Sequence, residues 1–313
     1  DMALGGLSEM RELSVGVWRG AEGVSKVAFD ARNKLGAEAS KAVWHLVSLT
    51  SIDLSGVGLD CAGMELLGVP GSEKLTRVDL SINSLGEEGA AVVECALRGC
   101  TGLTALDLSS NNLSEKALAA LLADLPGLRE LRLGHHLRHT HHGRNSLDGR
   151  GMMLLAAALG TTPGLAVLEL GVNLFGVDGA TQLAVPLQHM TAITCLDLRW
   201  NALRAAGVCE LEGAMQRLDK VTSLDLSVND IGAEGAAAAA GALGRMKKMA
   251  QLNLSYNGLT AVGAAALAGA LGQMEQITQL DLSGNGLTAV GAAALAGALG
   301  QMEQITQLDL SGN

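Results

Sequence analysis

From Leu49 onward the apolar positions of the chain keep one rhythm. Three aliphatic residues stand at intervals of three and two, as in Ile305, Leu308 and Leu310, and Asn313 closes the run three residues later. Because strand side chains alternate, Leu308 and Leu310 share one side of a short strand and the residue between them faces the other way. Beyond the asparagine of each unit, apolar residues return at helical spacing, as in Leu287, Val290, Leu295, Ala298 and Leu299. That spacing predicts an outer helix with an inward stripe. Laid along the whole chain, the ruler predicts eleven strands, starting at Met10, Leu49, Leu75, Leu103, Leu128, Leu165, Ile193, Val221, Met249, Ile277 and Ile305. The last six starts lie 28 residues apart, and residues 258–285 are repeated identically as residues 286–313. A fixed period of this size marks stacked units that bury their apolar faces on one another.

Two units depart from the rule. In the first, the next asparagine signal after Val15 is Asn33, which leaves Gly16 to Arg32 as an apparent insertion. In the fifth, Leu133 is followed by Asn145 only after a run rich in histidine and arginine, an insertion near residues 134–144. Both leave a unit between its strand and its helix, so both are expected on the same rim, where insertions in repeat proteins tend to bind. Val57 and His136 stand where the closing asparagine belongs in their units. Residues 1–48 therefore read as an irregular repeat or cap, and residues 49–313 as regular repeats. The last unit stops at Asn313 within its own pattern, which predicts that the repeats continue beyond it.

The unit resembles the leucine-rich repeat of the ribonuclease-inhibitor type, found also in NOD-like receptors and in Ran GTPase-activating protein. The resemblance implies an α/β solenoid shaped as a horseshoe, with parallel strands on the concave face and helices on the convex face. It also implies an asparagine ladder, in which side chains such as that of Asn285 bond the backbone turn between units. Eleven strands at about 4.8 Å give an inner edge on the order of 50 Å, long enough to embrace a protein.

Composition narrows the function. With 22 Lys and Arg against 32 Asp and Glu, the net charge of -10 points away from nucleic acid and anionic lipid. Five cysteines without a CxxC signal neither a disulfide framework nor a zinc site, which fits an intracellular, cytoplasmic setting. The uncharged stretch from Leu254 to Met274 has the length of a membrane span, yet its match to the repeat and its internal Asn257, Thr260 and Gln273 argue for a folded unit. No phosphate-binding loop, nucleophile elbow or dinucleotide turn is present, so the reading is non-enzymatic, with no cofactor, catalytic residue, metal or small-molecule substrate.

Candidate contacts cluster on the open face and its rim. The residue between the two strand leucines is Asp53, Asp79, Asp107, Arg132, Glu169, Asp197, Asp225, Asn253, Asp281 and Asp309 in turn. This acidic row either steers a basic partner or is simply the polar solution that keeps the face wet. Within the fifth unit the sign reverses at Arg132, His135 and Arg138, and the histidines around them fit a contact loop sensitive to pH, a metal site or a solvated loop. Trp200, beside Arg199, and Tyr256 precede the ladder asparagine and are either interface anchors or, for Trp200, a cover over the end of the core and, for Tyr256, merely a large surface residue. The partner implied is another protein, alone or in a larger complex, bound by the concave face and rim. The narrower alternatives that the resemblance implies are a regulator of a small GTPase and the sensor region of a NOD-like receptor.

Overall fold

The computed structural model describes residues 16–19, 25–28, 50–56, 58, 74–135, 145 and 147–313. They belong to two compact units, residues 1–146 and 147–313. The first contains β1 (Gly16–Arg19), β2 (Ser25–Ala28), β3 (Ser51–Asp53), β4 (Arg77–Asp79), α1 (Gly86–Leu97), β5 (Ala105–Asp107), α2 (Glu115–Ala123) and β6 (Glu130–Arg132). The second contains α3 (Gly149–Leu159), β7 (Val167–Glu169), α4 (Gly176–Leu187), β8 (Cys195–Asp197), α5 (Arg204–Met215) and β9 (Ser223–Asp225). It continues through α6 (Gly232–Leu243), β10 (Gln251–Asn253), α7 (Thr260–Leu271), β11 (Gln279–Asp281), α8 (Thr288–Leu299) and β12 (Gln307–Asp309).

Each of β3 to β12 begins two residues after the aliphatic residue that opens its unit, as the ruler requires. Within the first unit β2 to β6 pair in parallel, and within the second β7 to β11 step in parallel through to β12. Registers are whole-unit shifts: Leu196 faces Leu224 and Leu252 faces Leu280. The buried leucines therefore stack in columns. Leu168, Leu170, Leu196, Leu198, Leu224 and Leu226 are at most 1% exposed. Each fully buried Leu contributes roughly 1.5–3 kcal/mol relative to leaving it in water.

The N-terminal reading needs correction. Ser25–Ala28 is a strand, parallel to Ser51–Asp53, and Val27 faces Ile52. Gly16–Arg19 pairs with it antiparallel. The segment from Gly16 to Arg32 therefore carries ladder strands and is not simply an insertion. The ruler had a second fit, Val24-x-x-Val27-x-Phe29, with valine and phenylalanine in place of leucine. Only a short connection separates β1 from β2, which allows antiparallel pairing and forbids a parallel crossover. The expected strand from Met10 to Val15 lies outside the described residues, as do Val57, His136, Arg138, His139, His141 and His142.

Helix phase also differs from expectation at one point. Leu287, Leu295 and Ala298 are buried and Leu299 is half-buried, but Val290 is 70% exposed. Gly291 takes the inward seat instead. A Cβ there would lie 3.1 Å from the Cα of Ala261 on the preceding helix, so a larger residue would push the two backbones apart by a few tenths of an ångström. Among the described residues no helix is long and apolar enough to cross a membrane, and the stretch from Leu254 to Met274 holds a helix of 12 residues.

Candidate interaction site

The turns that follow the strands are built on asparagine. Asn201, fully buried, donates from Nδ2 to the carbonyls of Leu170 and Leu198 at 2.9 and 3.0 Å. Its Oδ1 accepts from the backbone N–H groups of Asn173 and Leu174 at 3.0 and 2.9 Å. Asn229, Asn257 and Asn285 repeat the pattern one unit at a time. In the fifth unit the ladder role falls to Asn145, which donates to Leu108 and Leu133 and accepts from Leu113. The insertion thus interrupts the unit between Leu133 and Asn145, and Asn145 still bonds both flanking carbonyls and one backbone N–H. Buried backbone groups that would otherwise be orphaned find partners this way.

These turns force the chain through left-handed backbone. In the second unit the residues flanking the ladder asparagines have positive φ: Trp200 and Ala202 at 55° and 54°, Val228 and Asp230 at 55°, and Tyr256 at 55°. Glycine occupies the same position at Gly284 and Gly312. A tryptophan and a tyrosine thus stand where glycine costs least. Both are exposed, Trp200 by 41% and Tyr256 by 64%, together with Leu174 at 49%. They line a groove of about 260 Å³ with Ala202, Val228 and Asp230. The Tyr256 ring lies over Gly284, where a Cβ would come within 2.6 Å of Tyr256 Cδ1.

On the open sheet face of the second unit, Ser223, Gln251, Gln279 and Gln307 form one row and Asp225, Asn253, Asp281 and Asp309 a second, bounding a groove of about 700 Å³. The acidic row has a local task. Oδ1 of Asp225, Asp281 and Asp309 each accepts the backbone N–H two residues on, at 2.8–2.9 Å. Asn253 does the same for Ser255 at 3.0 Å, so the turn needs the acceptor and not the charge. Asp79 and Asp107 serve Ser81 and Ser109 in the first unit.

Stacking like charges raises their cost. Burial first, opposed by Arg199 and reinforced by Asp225 and Glu169, pushes the Asp197 carboxyl up to about 7. Asp107 rises to about 6 through burial and the neighbouring Asp79. Arg199 Nε lies 3.4 Å from Asp197 Oδ2, which draws the arginine onto the sheet face.

The remaining sequence candidates fall in the first unit. Arg132 is half-buried, and Glu130 Oε2 meets it at 3.0 Å and Arg77 at 3.1 Å, which softens the local reversal of charge. His135 is buried, with Nδ1 3.0 Å from Ser110 Oγ. Its imidazole belongs to the interior, where the sequence placed it in a contact loop. Leu174 and Asp230 were missed by sequence reasoning. Their signal was position, since each directly follows a ladder asparagine. Among the described residues no three of His, Cys, Asp and Glu are grouped so as to hold a metal ion.

Residues 99–122, 219–238, 246–268 and 276–296 match the family model described as Leucine Rich repeat. The leucine-rich repeat-containing protein LegL7 from Legionella pneumophila is similar in structure, with a TM-score of 0.51 at 20% identity over 90% of this chain and 88% of LegL7. The crystal structure of PEPR1-AtPEP1 aligns with a TM-score of 0.49 at 18% identity, over 88% of this chain and 32% of that chain. This chain therefore spans about a third of that longer one. No curated protein matches the sequence.

Proposed function

Since the chain is a leucine-rich-repeat protein, we propose that it is a non-enzymatic scaffold that binds a partner protein through its open sheet face and adjoining rim. The observation that carries this is the rim of the second unit. There Leu174, Trp200 and Tyr256 stay exposed on left-handed backbone beside a sheet face of polar side chains. Aromatics are the side chains that most often anchor an interface, and a rigid backbone lowers the entropy of engaging them. A repeat array offers such a surface without supplying reactive groups.

Trp200→Gly and Tyr256→Gly are suitable probes, because Gly284 and Gly312 already occupy that turn position. Capture from native extract by the unchanged chain and by the double variant, read by mass spectrometry, tests the proposal. Proteins lost with both aromatics support it, each truncation costing at least about 1 kcal/mol of affinity. Retention of every captured protein would move binding away from this rim. The two narrower roles, GTPase regulator and NOD-like-receptor sensor, rest on the resemblance alone. Accelerated GTP hydrolysis across a panel of small GTPases separates the first from a plain scaffold.

A further inference from the structure

We propose that the groove between Trp200 and Tyr256 is a slot for a single basic side chain, an arginine or lysine presented by the partner protein, held against aromatic faces and answered by Asp230. The proposal rests on the scaffold reading and names the chemistry of its contact. At about 260 Å³ the groove has room for one side chain and not for a folded element. Trp200 and Tyr256 stand two repeats apart, about 10 Å at the strand spacing, with Val228 between them. Their backbone is fixed by N–H donation from Trp200, Val228 and Tyr256 to the carbonyls of Ser227, Ser255 and Ser283 at 3.0, 2.9 and 2.9 Å. The backbone that carries the walls is therefore fixed before a ligand arrives.

Charge selects the occupant. Among the described residues Asp230 is the one charged residue that lines the groove, it is exposed, and no ion pair of the second unit involves it. Arg199, the nearest cation in sequence, is not part of the lining and is drawn to Asp197. A purely apolar anchor would strip water from the Asp230 carboxylate and return nothing, which costs free energy. A guanidinium or ammonium satisfies the carboxylate and is attracted to the faces of Trp and Tyr. Asp225, on the adjoining strand of the same repeat, adds to the field that draws a cation in.

The probes are acetylated, amidated tripeptides Gly-Arg-Gly, Gly-Leu-Gly and Gly-Glu-Gly, titrated against the whole chain while the Trp200 indole N–H resonance is followed. Trp200→Gly assigns that resonance among the three tryptophans. The expected result is a saturable shift with Gly-Arg-Gly, at least about fivefold tighter than with Gly-Leu-Gly. Asp230→Asn, which keeps a residue tolerant of left-handed backbone, should bring the two within about twofold. Equal binding of the Arg and Leu peptides, no effect of Asp230→Asn, or no shift with any peptide would each overturn the slot. The two proposals fail separately. Captured partners lost with Trp200→Gly and Tyr256→Gly but fully kept by Asp230→Asn would leave the rim standing as the binding surface and remove the slot, whereas retention in all variants would remove the slot and move binding away from this rim.

Discussion

The side chain of Asn229 accepts the backbone N–H of Asn201, exactly one repeat away in sequence, at 2.8 Å. The same side chain accepts from Leu203 at 3.3 Å and donates to Leu198 and Leu226, each at 2.9 Å. With a further bond to the Ser227 carbonyl at 3.2 Å, one amide therefore serves five backbone groups, three of them in the neighbouring repeat. Asn229→Ala should orphan buried N–H and C=O groups, at roughly 1–3 kcal/mol for each group left unpaired. A loss of at least about 3 kcal/mol in urea unfolding is expected, because more than one group loses its partner. A loss below about 1 kcal/mol would show that the ladder is not what ties repeat to repeat.

Two glycines six residues apart on α7 should respond in opposite directions. A Cβ on Gly263 would lie 3.1 Å from Ala236 Cβ and 3.3 Å from Ala233 Cα on the preceding helix, whereas at Gly269 it would meet nothing within 4 Å. Gly263→Val should cost about 1–3 kcal/mol by overpacking the helix interface. Gly269→Ala should stabilise by about 0.5–1 kcal/mol, since only chain entropy and helix propensity change. Thermal unfolding of the two variants checks the pair. Equal shifts of one sign would contradict the assigned helix faces.

Much of this was legible in the sequence, for a physical reason. The strands and the ladder follow from period-two burial and from the need to pair backbone groups in a tight turn, so a ruler of leucines and asparagines finds them. Even Asn145 stands out once the ladder is sought. Short alternating patterns carry less information, and the N-terminal ruler therefore settled on Met10 to Val15 while Ser25–Ala28 entered the sheet. Helix phase was lost for a different reason. In a helix made of alanine, valine and glycine, apolar residues surround the axis and no stripe reveals that Val290 faces out and Gly291 in. The acidic row was visible, but not that each Oδ1 is committed to a backbone N–H. His135 seemed part of a histidine-rich loop, and only the fold brings Ser110 to its ring.

The buried carboxylate on β8 makes a prediction with a defined sign. Asp197 is raised to about 7 in the folded chain, chiefly by burial, against an unfolded value of about 3.9. Between those values the folded state holds a proton that the unfolded state has released, so this group's contribution to stability falls as pH rises from about 4 to about 7 and is level above that. Asp197→Asn should remove the dependence. Asn253 shows that an amide supplies the same acceptor, since its Oδ1 receives the Ser255 N–H as Asp197 Oδ1 receives that of Arg199. The Arg199 side chain stays 38% exposed, although its Nε is buried. The variant should therefore be more stable than the unchanged chain at pH 8, by about 1–3 kcal/mol, with the advantage vanishing near pH 4. Midpoints of thermal unfolding measured across that range decide the matter. A destabilised variant at pH 8 would mean that the attraction between Asp197 and Arg199 outweighs the burial of the charge.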